Sequence, residues 1–130
     1  MSLKDIYQER LLEHYQNSPH RGVLEHATCS SGVYNPSCGD AVSLQVIIQN
    51  DIIIQAKFEA KGCVISVAAT SLLLDGLVGL SCVDAQKISA DDLKKMIGIP
   101  LGPTRLRCAL LPLDALQNIL QDYRKKSCVK

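Results

Sequence analysis

Cys38, Cys63 and Cys108 are the residues best suited to chemistry, and the first lies in the run Tyr34-Asn35-Pro36-Ser37-Cys38-Gly39-Asp40. Three soft thiolates and one carboxylate, delivered from points far apart in sequence, make a metal or iron-sulfur site only when folding assembles them. Gly39 has no side chain to crowd an ion and lets the chain turn so that Cys38 and Asp40 face one place. Asp40 is then the candidate fourth ligand. A hard carboxylate is a weaker, more exchangeable donor to iron or zinc than a fourth cysteine, which suits a site that must release what it holds. A free cysteine is about as often a small buried apolar residue, and Cys-Gly-Asp alone is a weak pattern, so both readings of each cysteine stand at this level.

The other three cysteines carry less. Cys82 reads as packing, and Cys29 and Cys128 as surface or terminal thiols, with Cys29 close enough in sequence to Cys38 to be an occasional extra ligand. The amino-terminal Met1-Ser2-Leu3-Lys4-Asp5 has no apolar signal segment, so six cysteines suggest a reducing compartment, the cytoplasm by default. There thiols serve as ligands or nucleophiles rather than bridges. Fourteen basic and thirteen acidic side chains leave a net charge of +1, so no global field argues for nucleic acid or an anionic membrane. Arg124-Lys125-Lys126 reads as a solvated helix end. His14, His20 and His26 have no metal-motif spacing, and no Ser/His/Asp signature, phosphate loop or H-E-x-x-H occurs.

The elements that must position the cysteines follow from periodicity. Ser2 and Asp5 resemble a capping box, and Leu3, Tyr7, Leu11 and Tyr15 recur every fourth residue, so a helix is expected from about Leu3 to Gln16. A short strand is expected near Thr28 to Val33. Leu44, Val46 and Ile48 share one face of a second strand, Asn50-Asp51 supply a turn, and the return strand alternates with Ile54, Ala56, Phe58 and Ala60 inward. Gly62 breaks that strand, and Cys63 opens an apolar helix running to about Leu77. The Gly62 to Leu80 stretch is nearly long enough to cross a bilayer, but Asp75 and the Ser66, Thr70 and Ser71 stripe favour a buried helix. Two short helices follow, from Asp84 to Ile88 and from Ala90 to Ile97, the second capped by Ser89. Pro100-Leu101-Gly102-Pro103 reads as a loop, and Pro112 near the start of the last helix places Cys108 at or just before its first turn.

The expected architecture is one α+β domain over residues 1–130, a small three-stranded antiparallel sheet covered by helices. Each of the three cysteines then sits on a loop anchored by regular structure, where reactive groups usually lie. A helix amino terminus would stabilise a thiolate at Cys63 and at Cys108.

With these residues in view, the chain resembles the IscU/NifU/SufU family of iron-sulfur cluster assembly scaffolds. Leu12-Glu13-His14-Tyr15-Gln16-Asn17 is similar to the end of that family's first helix. Asn35-Pro36-Ser37-Cys38-Gly39-Asp40, Gly62-Cys63-Val64-Ile65-Ser66 and Arg105-Leu106-Arg107-Cys108-Ala109 resemble its three ligand motifs, in order. The resemblance spans roughly Asp5 to Tyr123. It implies a scaffold that takes sulfur as persulfide from a cysteine desulfurase, combines it with iron into a [2Fe-2S] cluster on Cys38, Cys63 and Cys108, and passes the cluster to apo-proteins. Asp40 would be a ligand or labilising group, Cys108 the sulfur acceptor, and zinc the occupant of the same pocket when iron is absent. A monomer or a cluster-bridged dimer fits this reading.

Two positions depart from the family pattern. IscU-like members carry histidine immediately before the third cysteine, whereas Arg107 stands here as in SufU-like members; it could pair with Asp40 or hold a thiolate. The insertion that SufU-like members carry between the second and third cysteines is missing. In place of the Leu-Pro-Pro-Val-Lys run that recruits an Hsp70-type chaperone, this chain has Ile99-Pro100-Leu101-Gly102-Pro103-Thr104, which puts that partner in doubt. The alternative function is a zinc-dependent sulfurtransferase, in which zinc orients Cys38, Asp40 and Cys63 while Cys108 accepts persulfide; Arg107 favours it and the missing insertion disfavours it. A purely structural zinc domain is disfavoured because the candidate ligands lie on loop edges.

Overall fold

The computed structural model describes residues 3–36 and 39–125. Ser2 of the expected capping box, Cys38, Lys126 and Cys128 lie outside them. In chain order the elements are α1 (Leu3–Gln16), β1 (Cys29–Asn35), β2 (Asp40–Gln49), β3 (Ile52–Lys61), α2 (Val64–Leu77), α3 (Cys82–Gln86), α4 (Ala90–Ile97) and α5 (Pro103–Arg124). The strands form one antiparallel sheet in the order β1-β2-β3. The fold class is α+β, as the alternation pattern and helical runs imply.

Helices α2 and α5 pack against the sheet and against each other, and α1 packs on α2. The buried face of β2 is Val42, Leu44, Val46 and Ile48, as the period-two pattern requires. At the β2–β3 turn Asn50 and Asp51 both adopt positive φ, 54° and 63°. That is the geometry of a two-residue hairpin whose twist matches its strands, and both residue types tolerate it.

The inward set on β3 differs from expectation. The register runs Ile47↔Gln55 and then Ile48↔Ile53, so Ile54 is an extra, bulged residue. The alternation reverses there: Ile53, Ala56 and Phe58 are buried, whereas Ile54 is 43% exposed.

Helix α2 is buried along almost its whole length, and its polar stripe is satisfied inside the protein. Thr70 Oγ1 donates to the Ser66 carbonyl at 2.7 Å, and Ser66 Oγ donates to the Cys63 carbonyl at 3.1 Å. No helix of the described residues is long and apolar enough to cross a membrane. Helix α4 begins as its sequence predicts, with a reciprocal Ser89/Asp92 capping box, and stops at Gly98 in the left-handed conformation. Helix α3 starts two residues earlier than expected, because Ser81 caps it by accepting from the Asp84 amide.

The last helix begins much earlier than Pro112 suggests. Gly102 is its N-cap and Pro103 its first residue, so Pro112 lies inside the helix. Proline is favoured at the first helical position, and Pro103 takes that role. Cys108 therefore sits in the second turn of α5, beyond the first turn where the helix dipole acts most strongly.

Candidate metal centre

The site lies where β2 begins, β3 ends, α2 begins and α5 completes its first turn. Asp40 is the first residue of β2, and Cys63 is the N-cap of α2, extended at φ −74° and ψ 164°. The pairing of Ala41 with Lys61 brings the two strand ends together, so residues 40 and 63 meet although 22 residues lie between them. Cys108 arrives from α5, which packs on α2, β1 and β2.

These three side chains offer one donor atom each, all within 4.8 Å of one another. Cys63 Sγ lies 3.4 Å from Asp40 Oδ2 and 3.8 Å from Ser66 Oγ. Asp40 is only 4% exposed. Burial pushes its carboxyl pKa up, but hydrogen bonds from the side chains of Cys108, Cys63 and Ser66 and from the Cys63 backbone outweigh it. The net direction is downward, so Asp40 is held as a carboxylate.

The donors face a pocket of about 640 Å³. Leu11 and Leu12 of α1, Val64 and Ile65 of α2, and Ile99 form its apolar walls, and Gln8 and Arg105 add polar groups. Cys63 is exposed, whereas Cys108 is 4% exposed. Two thiols and a carboxylate converging on open space suit a soft or borderline metal, with the carboxylate as the most exchangeable donor.

Of the four expected ligands, Asp40, Cys63 and Cys108 are brought together, and Cys38 lies outside the described residues. Gly39 adopts φ 76°, and a Cβ added there would meet nothing within 4 Å. Its value is therefore the turn it permits rather than the space it leaves.

Arg107 is the expected modulating residue. It is exposed and does not line this pocket, and among the described residues it makes no ion pair with Asp40. The cation on the pocket wall is Arg105, because residues three apart share a helix face whereas adjacent ones diverge by about 100°. A helix starting near Pro112, with Cys108 at or just before its first turn, hides Arg105; within a helix from Pro103 the spacing alone points to it.

Ser66, in sequence one residue of a polar stripe, hydrogen-bonds to Cys63 and supports Asp40. Cys29 is buried on β1 and disulfide-bonded, not a surface thiol. The reading of thiols without bridges fails at this position. Cys82 is a partly buried free thiol, as packing implies, and burial and then the Asp51 charge push its pKa up.

The NifU-like N terminal domain model matches residues 6–130. The chain belongs to that family. It is 34% identical over 124 residues to the iron-sulfur cluster assembly scaffold protein IscU of Rickettsia prowazekii, covering 92% of this chain and 93% of that one. It is also 34% identical over 124 residues to the iron sulfur cluster assembly protein 1 of Trachipleistophora hominis, covering 93% and 88%. A crystal structure of a protein assigned as a SUF-system scaffold in Fervidobacterium islandicum superposes with a TM-score of 0.77 at 25% identity, over 92% of this chain and 99% of that one. The three-stranded sheet and its helices are thus a family architecture, and Asp40, Cys63 and Cys108 belong to the motifs that carry the family resemblance.

Proposed function

We propose that this protein is an iron-sulfur cluster assembly scaffold, with residues 1–130 working as one unit. It takes sulfur from a cysteine desulfurase, combines it with iron, holds a [2Fe-2S] cluster transiently on Cys38, Asp40, Cys63 and Cys108, and gives it up to apo-proteins. The observation that carries this reading is the convergence of Asp40, Cys63 and Cys108 within 4.8 Å at an open pocket, in a chain whose relatives are named as such scaffolds.

Each residue has a distinct task. Cys108, deep in the pocket, accepts sulfur: its thiolate attacks the terminal sulfur of the donor persulfide, a new S–S bond forms, and the donor cysteine leaves as a thiolate. An external thiol or one-electron carrier protein supplies the two electrons that turn this sulfane sulfur into sulfide. Ser66 and the Cys63 backbone hold Asp40 in place. Asp40 is the donor most readily replaced by an acceptor's thiol, and so the point through which cargo leaves. Zn²⁺ fits the same donors when iron is absent. The role is that of a carrier, working as a monomer or as a dimer bridged by its cargo. With Arg107 away from the pocket, no observation favours the sulfurtransferase alternative.

Anaerobic reconstitution with ferrous iron, cysteine and a desulfurase, followed by absorption and Mössbauer spectra and transfer to an apo-ferredoxin, tests the proposal. A transferable [2Fe-2S] cluster is expected, and Cys108→Ala should yield none. A wild-type protein that carries persulfide on Cys108 but never forms a transferable cluster would refute the scaffold reading.

A further inference from the structure

The register that pairs Ala41 with Lys61 places residue 62, one step on, opposite Asp40. Directly opposed residues in an antiparallel pair normally hold their Cβ atoms about 4.5–5.5 Å apart on one face. Residue 62 is glycine, and the space its Cβ would fill is already taken. A Cβ built on Gly62 overlaps Oδ1 and Cγ of Asp40 and lies 2.9 Å from its Cβ, closer than real Cβ contacts come. The backbone at Gly62 adds φ 150°, which other residues rarely adopt.

Asp40 is therefore not simply near Cys63; its carboxylate is folded across the strand end into the place of a missing side chain. From that seat Oδ2 reaches Cys63 Sγ at 3.4 Å. Any side chain at 62 must push the carboxylate out, away from Cys63 and Cys108.

We infer that Gly62 is a positioning residue that admits Asp40 to the donor set of the pocket. The inference rests on the metal-pocket reading above. It predicts that substituting Gly62 acts on metal binding through Asp40, and that the effect disappears once the carboxylate is gone.

The test is titration of Co²⁺ alone, with no sulfur donor, into wild type, Gly62→Ala, Asp40→Ala and the double variant, read by ligand-field absorption. Gly62→Ala should weaken Co²⁺ binding about tenfold or more, as loss of a ligand's supporting shell does, and convert the spectrum to that of Asp40→Ala. In the Asp40→Ala background the same substitution should change affinity by less than about twofold, within ordinary additivity. Equal weakening in both backgrounds, or a wild-type spectrum in Gly62→Ala, overturns the inference, the first by assigning the effect to the strained backbone. Should Gly62→Ala fail to fold, as judged by thermal unfolding, a folded double variant supports the overlap, and two unfolded variants overturn it. A wild type that binds no Co²⁺ defeats the metal-pocket reading itself, and this inference with it; wild-type binding with equal losses defeats the inference alone.

Discussion

Two aspartates in this protein each gather groups from distant parts of the chain, and they do so with opposite results. Asp40 is buried and faces Cys63 and Cys108 across a pocket. Asp75, whose side chain is 44% exposed, meets His20 Nε2 at 2.7 Å and His14 Nε2 at 3.4 Å. His14 Nδ1 in turn contacts Ser71 Oγ at 2.7 Å, and Ser18 shares that hydroxyl. Around Asp75 the polar atoms point at each other, whereas around Asp40 they also point at open space. Among the described residues, only the Asp40 group brings three such donors within 4.8 Å. Convergence on space makes a binding site; convergence without it makes a clasp, here holding α1 and the segment after it to α2.

The sharpest way to break this contrast is Asp40→Ala. For a bare divalent ion the variant loses a donor, and affinity should fall. Under the proposed function an assembled cluster would lose its most exchangeable donor, so release to an apo-ferredoxin should slow several-fold, on the order of 1 kcal/mol in the barrier. Stopped-flow absorption during transfer measures this. Faster cluster loss would make Asp40 an ordinary structural ligand and remove its labilising role.

Asp75→Ala is the complementary test and should leave the donor atoms untouched. Half-exposed contacts of this kind are worth about 0.5–1 kcal/mol, so the loss should appear as lower stability and faster amide exchange along α1. Because Gln8, Leu11 and Leu12 of α1 wall the pocket, a slight increase in the reactivity of Cys108 towards a bulky thiol reagent should accompany it. Metal affinity reduced as far as in Asp40→Ala would show that the clasp and the site are one unit.

How much of this was legible depends on whether the deciding interaction is local. Helix α4 and the hairpin were readable because Ser89 and Asp92 lie three residues apart, and because Asn50-Asp51 supply their own turn. The Ile54 bulge was not, since Ile53 and Ile54 are equally apolar and only pairing with β2 decides between them. The start of α5 was not legible because two prolines, Pro103 and Pro112, both fit a first turn, and the helix begins at the earlier. That single shift moved Cys108 into the helix and exchanged Arg107 for Arg105 on the pocket wall. The three donors were recognisable by motif, but the service of Gly62 to Asp40 exists only in the register. The clasp joins residues more than fifty positions apart, beyond any periodicity.

A third aspartate extends the comparison to its weakest case. Asp51 Oδ1 accepts from the Tyr123 hydroxyl at 2.7 Å, joining the end of α5 to the hairpin turn. That hydrogen bond, then burial and the Asp51 charge, push the Tyr123 pKa up from 10.0 to about 12. A group whose pKa is raised on folding stabilises fully below its unfolded value, and that contribution is lost as pH rises through the folded one. Tyr123→Phe should thus cost at most about 1 kcal/mol, constant from pH 7 to about 9, with the gap to wild type closing between about pH 10 and 12. Urea midpoints of the two proteins across that range measure it, with the nearby Cys82 charge adding to the rise at Tyr123. A gap that persists undiminished at pH 12 would mean that the hydroxyl stabilises by packing alone. Asp51 would then be a neighbour of Tyr123 rather than its partner, and the comparison would reduce to the two aspartates that gather groups from a distance.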